Sequence, residues 1–352
     1  MADDTFSCSP RSKGALLGSA IGDALAMPVH WYYNRYALAE DYGVVRDFLA
    51  PKNPHPDSIL WRSHYSAPNE KGEILHDQAP FWGQRGVHYH QNLKAGENTV
   101  TLQLANLLQK SLQDCGRYDA DDYLERYIAF MTTPGQHRDT YLEECHRGFF
   151  ENYARGNDPR RCGVQEKHIG GLASVVPLAV YFQNDPDEAL RATKEHLSLT
   201  HPGETMAISA KLILDILLPV LGGASLLETI RDLHSRQVSP LLGFPLEKLL
   251  QKEDEQVIGP VFSPACYVQE SVPGTIYLAA KYHDRPEEGL IVNTNLGGDN
   301  VHRGAVLGGL LGAGNGDSSW PKRWTSLLVE SPALLSGCSP SDEMSAPLES
   351  AG

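Results

Sequence analysis

The sequence predicts an all-α fold, arranged as a single compact multi-helix domain, and three observations carry that prediction. Apolar residues recur every third or fourth position in segment after segment, the spacing that lines one face of a helix. Sustained alternating, β-branched stretches of the kind that build a sheet are missing. Glycines stand four residues apart in two ladders, Gly14-Gly18-Gly22 near the start and Gly304-Gly308-Gly312 near the end. A glycine inside a helix costs about 0.5–1 kcal/mol relative to alanine. Rows four residues apart are the ridges and grooves by which helices approach one another. Close packing of the two laddered helices, on each other or on common neighbours, would bring the chain ends into one core, and that argues for one domain.

The predicted helices follow in order. The first begins at Lys13, and others cover 99–113, 118–131, 142–154, 172–182, 186–197, 204–221, 226–236, 272–282 and 302–313. In the second of these, Val100, Leu104, Leu107, Leu108 and Leu112 form one stripe while Gln103, Asn106, Gln109 and Lys110 lie off it, as in an amphipathic helix facing a core. Residues 50–96 are rich in Pro, Gly, His and aromatics with little periodicity, and read as a long loop-rich insertion beside a functional cleft. The domain is predicted over 13–331, after a mobile N-terminus of 1–12 and before a disordered tail of 332–352 whose Ser, Pro and small residues bury too little to offset chain entropy.

Composition narrows the function classes. At 41% hydrophobic and 21% charged, the 352 residues can fill a sizeable core. A formal charge of −14 opposes contact with phosphate backbones and anionic lipid, so neither nucleic acid nor membrane is expected as a partner. The six cysteines are scattered without a C-x-x-C pair, which suits free thiols in a reducing compartment. The first residues resemble neither a secretory signal nor a transit peptide, and no apolar run approaches the roughly 20 residues of a membrane span. A cytoplasmic protein is expected.

Polar residues gather at the predicted helix starts. Asp23 follows the first ladder, and Gly297-Gly298-Asp299-Asn300 precedes the second, with Asp299 or Asn300 placed to cap the last helix. Glu97-Asn98-Thr99 stands at the start of the amphipathic helix, and Thr200-His201-Pro202-Gly203-Glu204 reads as a cap, a first-turn proline and a capping-box acid. Each alone is an ordinary cap. Together they suggest acceptors converging on one cleft.

Four ordered segments carry a resemblance. Residues 14–29, from Gly14 to Val29, then Gly170-Gly171-Leu172 with Pro177, then Thr200-His201-Pro202, and last Val272-Pro273-Gly274 with Asn295-Leu296-Gly297-Gly298-Asp299, resemble the ADP-ribosylglycohydrolases, which include the dinitrogenase reductase-activating glycohydrolases. The resemblance implies an all-α domain whose cleft holds two magnesium ions and cleaves the bond between ADP-ribose and an acceptor. It assigns the metal ligands to a Thr-Asp-Asp triplet and a closing Asp-x-Asp-Thr. Here Gly96-Glu97-Asn98 and Asp299-Asn300-Val301-His302 stand in those places, and His30 occupies a position where the family often carries a glutamate. His30-Trp31-Tyr32-Tyr33 with the Gly-Asp-Asn-x-His-Arg run is similar to a divergent branch that includes jellyfish lens crystallins.

Magnesium asks for near-octahedral oxygen ligation. With two carboxylates and a hydroxyl replaced, one ion at most is expected, held by Asp299 and Glu97. Cleavage through an oxocarbenium-like state needs a carboxylate and an activated water, so Asp299 and Glu97 are the expected catalytic carboxylates and His30 or His302 the base. Substrate contacts are expected from Asp23, Trp31, Asn98, Thr99, Gly170, Gly171, His201, Gly298, Asn300 and Arg303, the last as a phosphate partner, with Trp31, Tyr89 or Trp82 stacking on adenine. His88-Tyr89-His90 is too nonspecific a spacing to count as a metal motif, and Cys266 reads as an inert thiol. The expected ligand is an ADP-ribose-like molecule, free or protein-linked. Two alternatives remain open: a non-catalytic binding or structural protein, and an enzyme of different chemistry on the same fold.

Overall fold

The structure, a computed structural model, describes residues 8–338. Its α-helices are α1 (Pro10–Ala26), α2 (Arg35–Tyr42), α3 (Val100–Cys115), α4 (Ala120–Thr132), α5 (Glu144–Ala154), α6 (Val175–Tyr181), α7 (Pro186–Thr200), α8 (Glu204–Leu221), α9 (Leu226–Ser235), α10 (Leu246–Leu249), α11 (Val268–Lys281), α12 (Pro286–Asn295), α13 (Asn300–Asn315) and α14 (Lys322–Thr325). Short 3-10 turns join them. Among the described residues there is no strand, only isolated bridges such as His168 with Tyr267. No helix is long and apolar enough to cross a membrane.

The two glycine ladders meet. Helices α1 and α13 lie against each other along their whole length, both buried on nearly all sides, and form the central pair of the molecule. Gly14 faces Gly312, Gly18 faces Gly308 and Gly22 faces Gly304 with backbone against backbone, so that a Cβ on any of them would overlap a carbonyl of the other helix. This close approach puts the end of α1, with Asp23, beside the start of α13, with Asp299. The remaining helices pack around the pair, and one continuous hydrophobic core runs from Ala15 to Leu334.

Several helix starts are satisfied by unexpected partners. Asp299 occupies the N-cap of α13, but its carboxylate makes no cap bond, because it is turned to two histidines. Thr99 likewise makes no side-chain cap for α3; the Val100 amide donates to the distant Asp139 carboxylate, and the Thr99 hydroxyl donates to Asp23. Helix α8 starts at Glu204 behind Gly203 with no side-chain cap, and Thr200 ends α7 instead of opening α8. Helices α2 and α12 lack a clean apolar stripe in sequence, which is why periodicity did not predict them. In α12 the buried positions include Gly289, Asn293 and Thr294 alongside Leu290 and Ile291.

The domain extends further at both ends than the expected 13–331. Ser9 caps α1 by accepting from the Ser12 amide, and Ser12 is buried. Residues Ala333–Gly337 lie on α3: the Ala333 and Leu334 amides donate to Asn106 and Gln109, and Leu334 is fully buried. Cys8 and Cys338 form a disulfide 330 residues apart, so the expectation of six free thiols holds only for Cys115, Cys145, Cys162 and Cys266. The rest of the expected terminal segments, 1–7 and 339–352, lies outside the described residues. Residues 50–96 contain 3-10 turns and loops packed around Trp31, Leu60, Val87 and Tyr89.

Candidate functional site

The site begins with a glycine pair. Gly297 and Gly298 both have positive φ, +68° and +66°, and side chains there would strike the Tyr32 and Pro264 carbonyls. The absence of Cβ lets the Gly298 amide donate to Tyr32 O at 2.7 Å and the Trp31 amide to Gly298 O at 2.8 Å. These two bonds fix residues 30–32 against the start of α13. They place His30 and Trp31 directly over Asp299.

Asp299 is fully buried between two imidazoles. His30 Nε2 lies 3.0 Å from its Oδ1, and His302 Nδ1 lies 2.9 Å from the same oxygen. From His30 the chain of contacts continues: Nδ1 is 2.7 Å from His90 Nε2, and His90 Nδ1 is 2.5 Å from Asp139 Oδ1. Each ring thus turns one nitrogen toward an aspartate and the other toward its neighbour, and burial holds the His30 pKa well below its ordinary value. His302 supplies the positive charge beside Asp299. Burial opposes its charge, but Asp299 and then Glu143 raise its pKa to about 10, and its Nε2 reaches Thr101 Oγ1 at 3.1 Å. Asp299 is held far below the ordinary carboxylate range despite its burial, chiefly by the His302 charge and the two imidazole hydrogen bonds.

Asp23 lies beside it at the end of α1. It accepts from Asn98 Nδ2 at 2.8 Å, from the Thr99 amide at 2.9 Å and from Thr99 Oγ1 at 2.6 Å. Burial still raises its pKa.

Above the cluster is a cleft of about 720 Å3 lined by Trp31, Tyr33, Tyr89, Tyr141, Tyr267, Arg62, Arg147, His168, Cys266 and Glu143. Aromatic faces and cations around a hollow of this size suit a planar base and a phosphate chain. Trp31 is its floor over Asp299: the indole stacks on His30 with centroids 3.9 Å apart and meets His302 edge-on at 6.1 Å. Glu143 is a carboxylate of the cleft wall, beside Glu144; it lies 3.5 Å from His302 Nδ1, and burial is the main reason its pKa is raised. Glu143 also lines a small inner cavity with Gly170, Gly171, His146, His196 and His201. Gly170 carries no side chain because a Cβ would crowd Glu143 and His302.

With this geometry in view, the comparisons are specific. The family model for ADP-ribosylglycohydrolase matches residues 6–344. The chain belongs to the ADP-ribosylglycohydrolase family. A solved structure titled "ADP-ribosylglycohydrolase-related protein complex" shares the fold at a TM-score of 0.60 and 24% identity, covering 91% of this chain and 92% of that one. A search of curated proteins returned no match.

Against the family's metal pattern this chain departs in chemistry as well as in sequence. Glu97 does not join Asp299: its carboxylate pairs with Arg138 and accepts from the Lys94 amide at 2.6 Å. Asn98 and Thr99 are spent on Asp23, Val301 is apolar and buried, and Asp299 faces two N–H groups. Hard oxygen ligands for paired magnesium ions are not assembled here. His30, His302 and Asp299 could together hold a nitrogen-preferring ion, but only by displacing the proton that charges His302.

Other expected contacts are structural. Arg303 is buried beneath the site and donates to Asn293 Oδ1 and Gly297 O, so it faces no phosphate. Asn300 donates to Val29 O and Thr294 O, and Gly298 works through its backbone. Gly170, Gly171 and His201 surround the inner cavity, not the open cleft. Trp31 and Tyr89 line the cleft, while Trp82 stacks on Tyr141 and donates to Thr140 O. His90, Asp139, Glu143, Glu166 and His168 escaped the sequence reading. Only the unremarkable His88-Tyr89-His90 run hinted at one of them.

Proposed function

We propose that this family member binds an ADP-ribose-type nucleotide sugar in the aromatic cleft and hydrolyses its glycosidic bond without paired magnesium. One observation carries the reading: two carboxyl groups beside the same imidazolium are driven apart, Glu143 upward by burial and Asp299 downward by His302 and His30. Such a split assigns an acid and a base. Glu143, on the cleft wall, donates its proton to the leaving group; a cleft water then attacks the anomeric carbon and gives its proton back to the Glu143 carboxylate. Asp299 with the His302 imidazolium holds the charge of the site, and the His30–His90–Asp139 chain orients it. His302 thus provides, in a fixed place, a positive charge of the kind the family's metals supply.

The test is release of ADP-ribose from arginine, serine and O-acetyl conjugates, with and without a chelator. Turnover is expected to persist in the chelator. Glu143→Gln is expected to lower kcat by about 10²–10⁴ with ADP-ribose binding retained. Chelator-abolished turnover, or full activity in Glu143→Gln, would overturn the assignment.

A second reading rests on Trp31. With Asp299 wholly buried and the indole covering it, the cleft fits a binding protein that has given up turnover. Tight ADP-ribose binding by calorimetry with no release from any conjugate would decide for it. Trp31→Ala removes the cover and is expected to weaken binding in either case, by about 1–3 kcal/mol for the lost ring face.

A further inference from the structure

A second cluster lies behind Gly170–Gly171, on the side away from Asp299. Cys145, at the start of α5, Glu166, in the loop before the glycine pair, and His201, after α7, are all buried, and one ligand atom from each lies within 4.8 Å of the other two. None of them contacts the open cleft. The proposed hydrolysis uses none of them.

Their orientation poses a problem that hydrogen bonds do not solve. His201 Nδ1 lies 2.8 Å from Thr200 Oγ1, and with the proton on Nδ1 the Nε2 lone pair points inward. Nε2 is buried and has no hydrogen-bond partner. It faces Glu166 Oε2 at 3.6 Å, too long for a hydrogen bond. With the other tautomer an Nε2–H would face that carboxylate without reaching hydrogen-bond distance, so in neither form is the nitrogen satisfied. The separation nevertheless has a natural meaning: ligands held at about 2.0–2.2 Å around a tetrahedral zinc ion lie about 3.3–3.6 Å apart.

The surroundings fit a built site. Glu166 is held from outside, its Oε1 by His168 Nδ1 at 2.6 Å and its Oε2 by the Cys145 amide at 2.9 Å. The His201 ring packs against Gly171, where a Cβ would come within 3.0 Å of it. The inner cavity of about 40 Å3 opens on His201 and has room for a water as fourth ligand.

We propose that Cys145, Glu166 and His201 bind one zinc ion, with a water from the inner cavity completing a tetrahedron. One thiolate, one carboxylate and one imidazole form a mixed set that suits zinc better than magnesium or calcium. Binding releases the Cys145 thiol proton to solvent, so affinity rises with pH.

The test uses the full chain, stripped by chelator and titrated with zinc and then with cobalt as its coloured substitute. One equivalent is expected, with a thiolate-to-cobalt charge-transfer band that is lost in Cys145→Ser and His201→Gln and kept in Asp299→Asn. X-ray absorption of the wild-type zinc form is expected to show a single sulfur neighbour at about 2.3 Å. This measurement decides the question even if a variant fails to fold. Failure to bind zinc, a sulfur-free shell, or a band that survives Cys145→Ser would overturn the site. A metal signal lost in Asp299→Asn instead would place the ion at the His30–Asp299–His302 cluster. The first three outcomes leave the chelator-resistant turnover proposed above untouched; an ion at the His30–Asp299–His302 cluster would count against it as well.

Discussion

Gly308→Ala is expected to cost at least about 3 kcal/mol, enough to leave much of the chain unfolded at ordinary temperature. The reason is geometric. The added methyl would sit inside the van der Waals envelope of the Gly18 carbonyl, and the next nearest atoms are also α1 backbone. No rotamer change can relieve a clash with a main chain. Relief requires α1 and α13 to separate, which would loosen the core around both and carry Asp23 away from Asp299. Alanine's higher helix propensity returns only about 1 kcal/mol. Gly222→Ala is the control, since its φ is −74° and a Cβ there would meet only ordinary contacts. Urea unfolding followed by helical circular dichroism compares the two. A Gly308→Ala midpoint equal to wild type would remove the close-packing account of both ladders.

The second large effect is acid lability. Burial lowers the pKa of His55 and His201 to about 4 and of His146 and His196 to about 3. An unfolded histidine titrates near 6.5. Below that pH the unfolded chain takes up protons that these buried rings refuse, so stability falls as pH drops from about 6.5 toward 4. Each ring contributes about 1.4 kcal/mol per pH unit. Even two of the four acting over two pH units remove about 5 kcal/mol, as much as many domains possess. Glu143 and Asp23, with raised pKa values, bind protons in the folded state and offset part of the loss. His302 acts on the other limb: its stabilising charge is complete below about 6.5 and is lost as pH rises toward about 10. The melting temperature is therefore expected to peak near neutrality and to fall steeply by pH 5. A flat profile between pH 7 and 5 would mean that these histidines are hydrated in solution.

The sequence made some parts of the site legible and hid others for identifiable reasons. Gly297-Gly298-Asp299 was readable because positive φ and close approach leave glycine almost no substitutes, so the pair marks a backbone requirement directly. His30 and His302 were readable because they fill positions in a recognisable pattern. Glu97 misled for the same reason: it holds a pattern position, yet nearby Arg138 claims its carboxylate. Asp139 and Glu143 sit in a stretch with no local signature, and they acquire a role only through the Val100 amide, His90 and His302, which arrive from other parts of the chain. Helix caps divided similarly. Ser9 caps by local geometry, while Asp299 and Thr99 give up the local bond for a more strongly held charge or hydrogen bond elsewhere.

By itself the sequence determined the helical class, the gathering of the chain's two ends into one core and the family, because apolar period and glycine spacing act through the backbone, whose rules are the same everywhere. Only the tertiary structure decided which side chains became a site. The sealing of Asp299 by Trp31, the chain of contacts from His30 through His90 to Asp139, and the opposition of His201 to Glu166 each depend on groups brought together from far apart in sequence. Electrostatic character belongs to a place in the fold, and no single segment carries it.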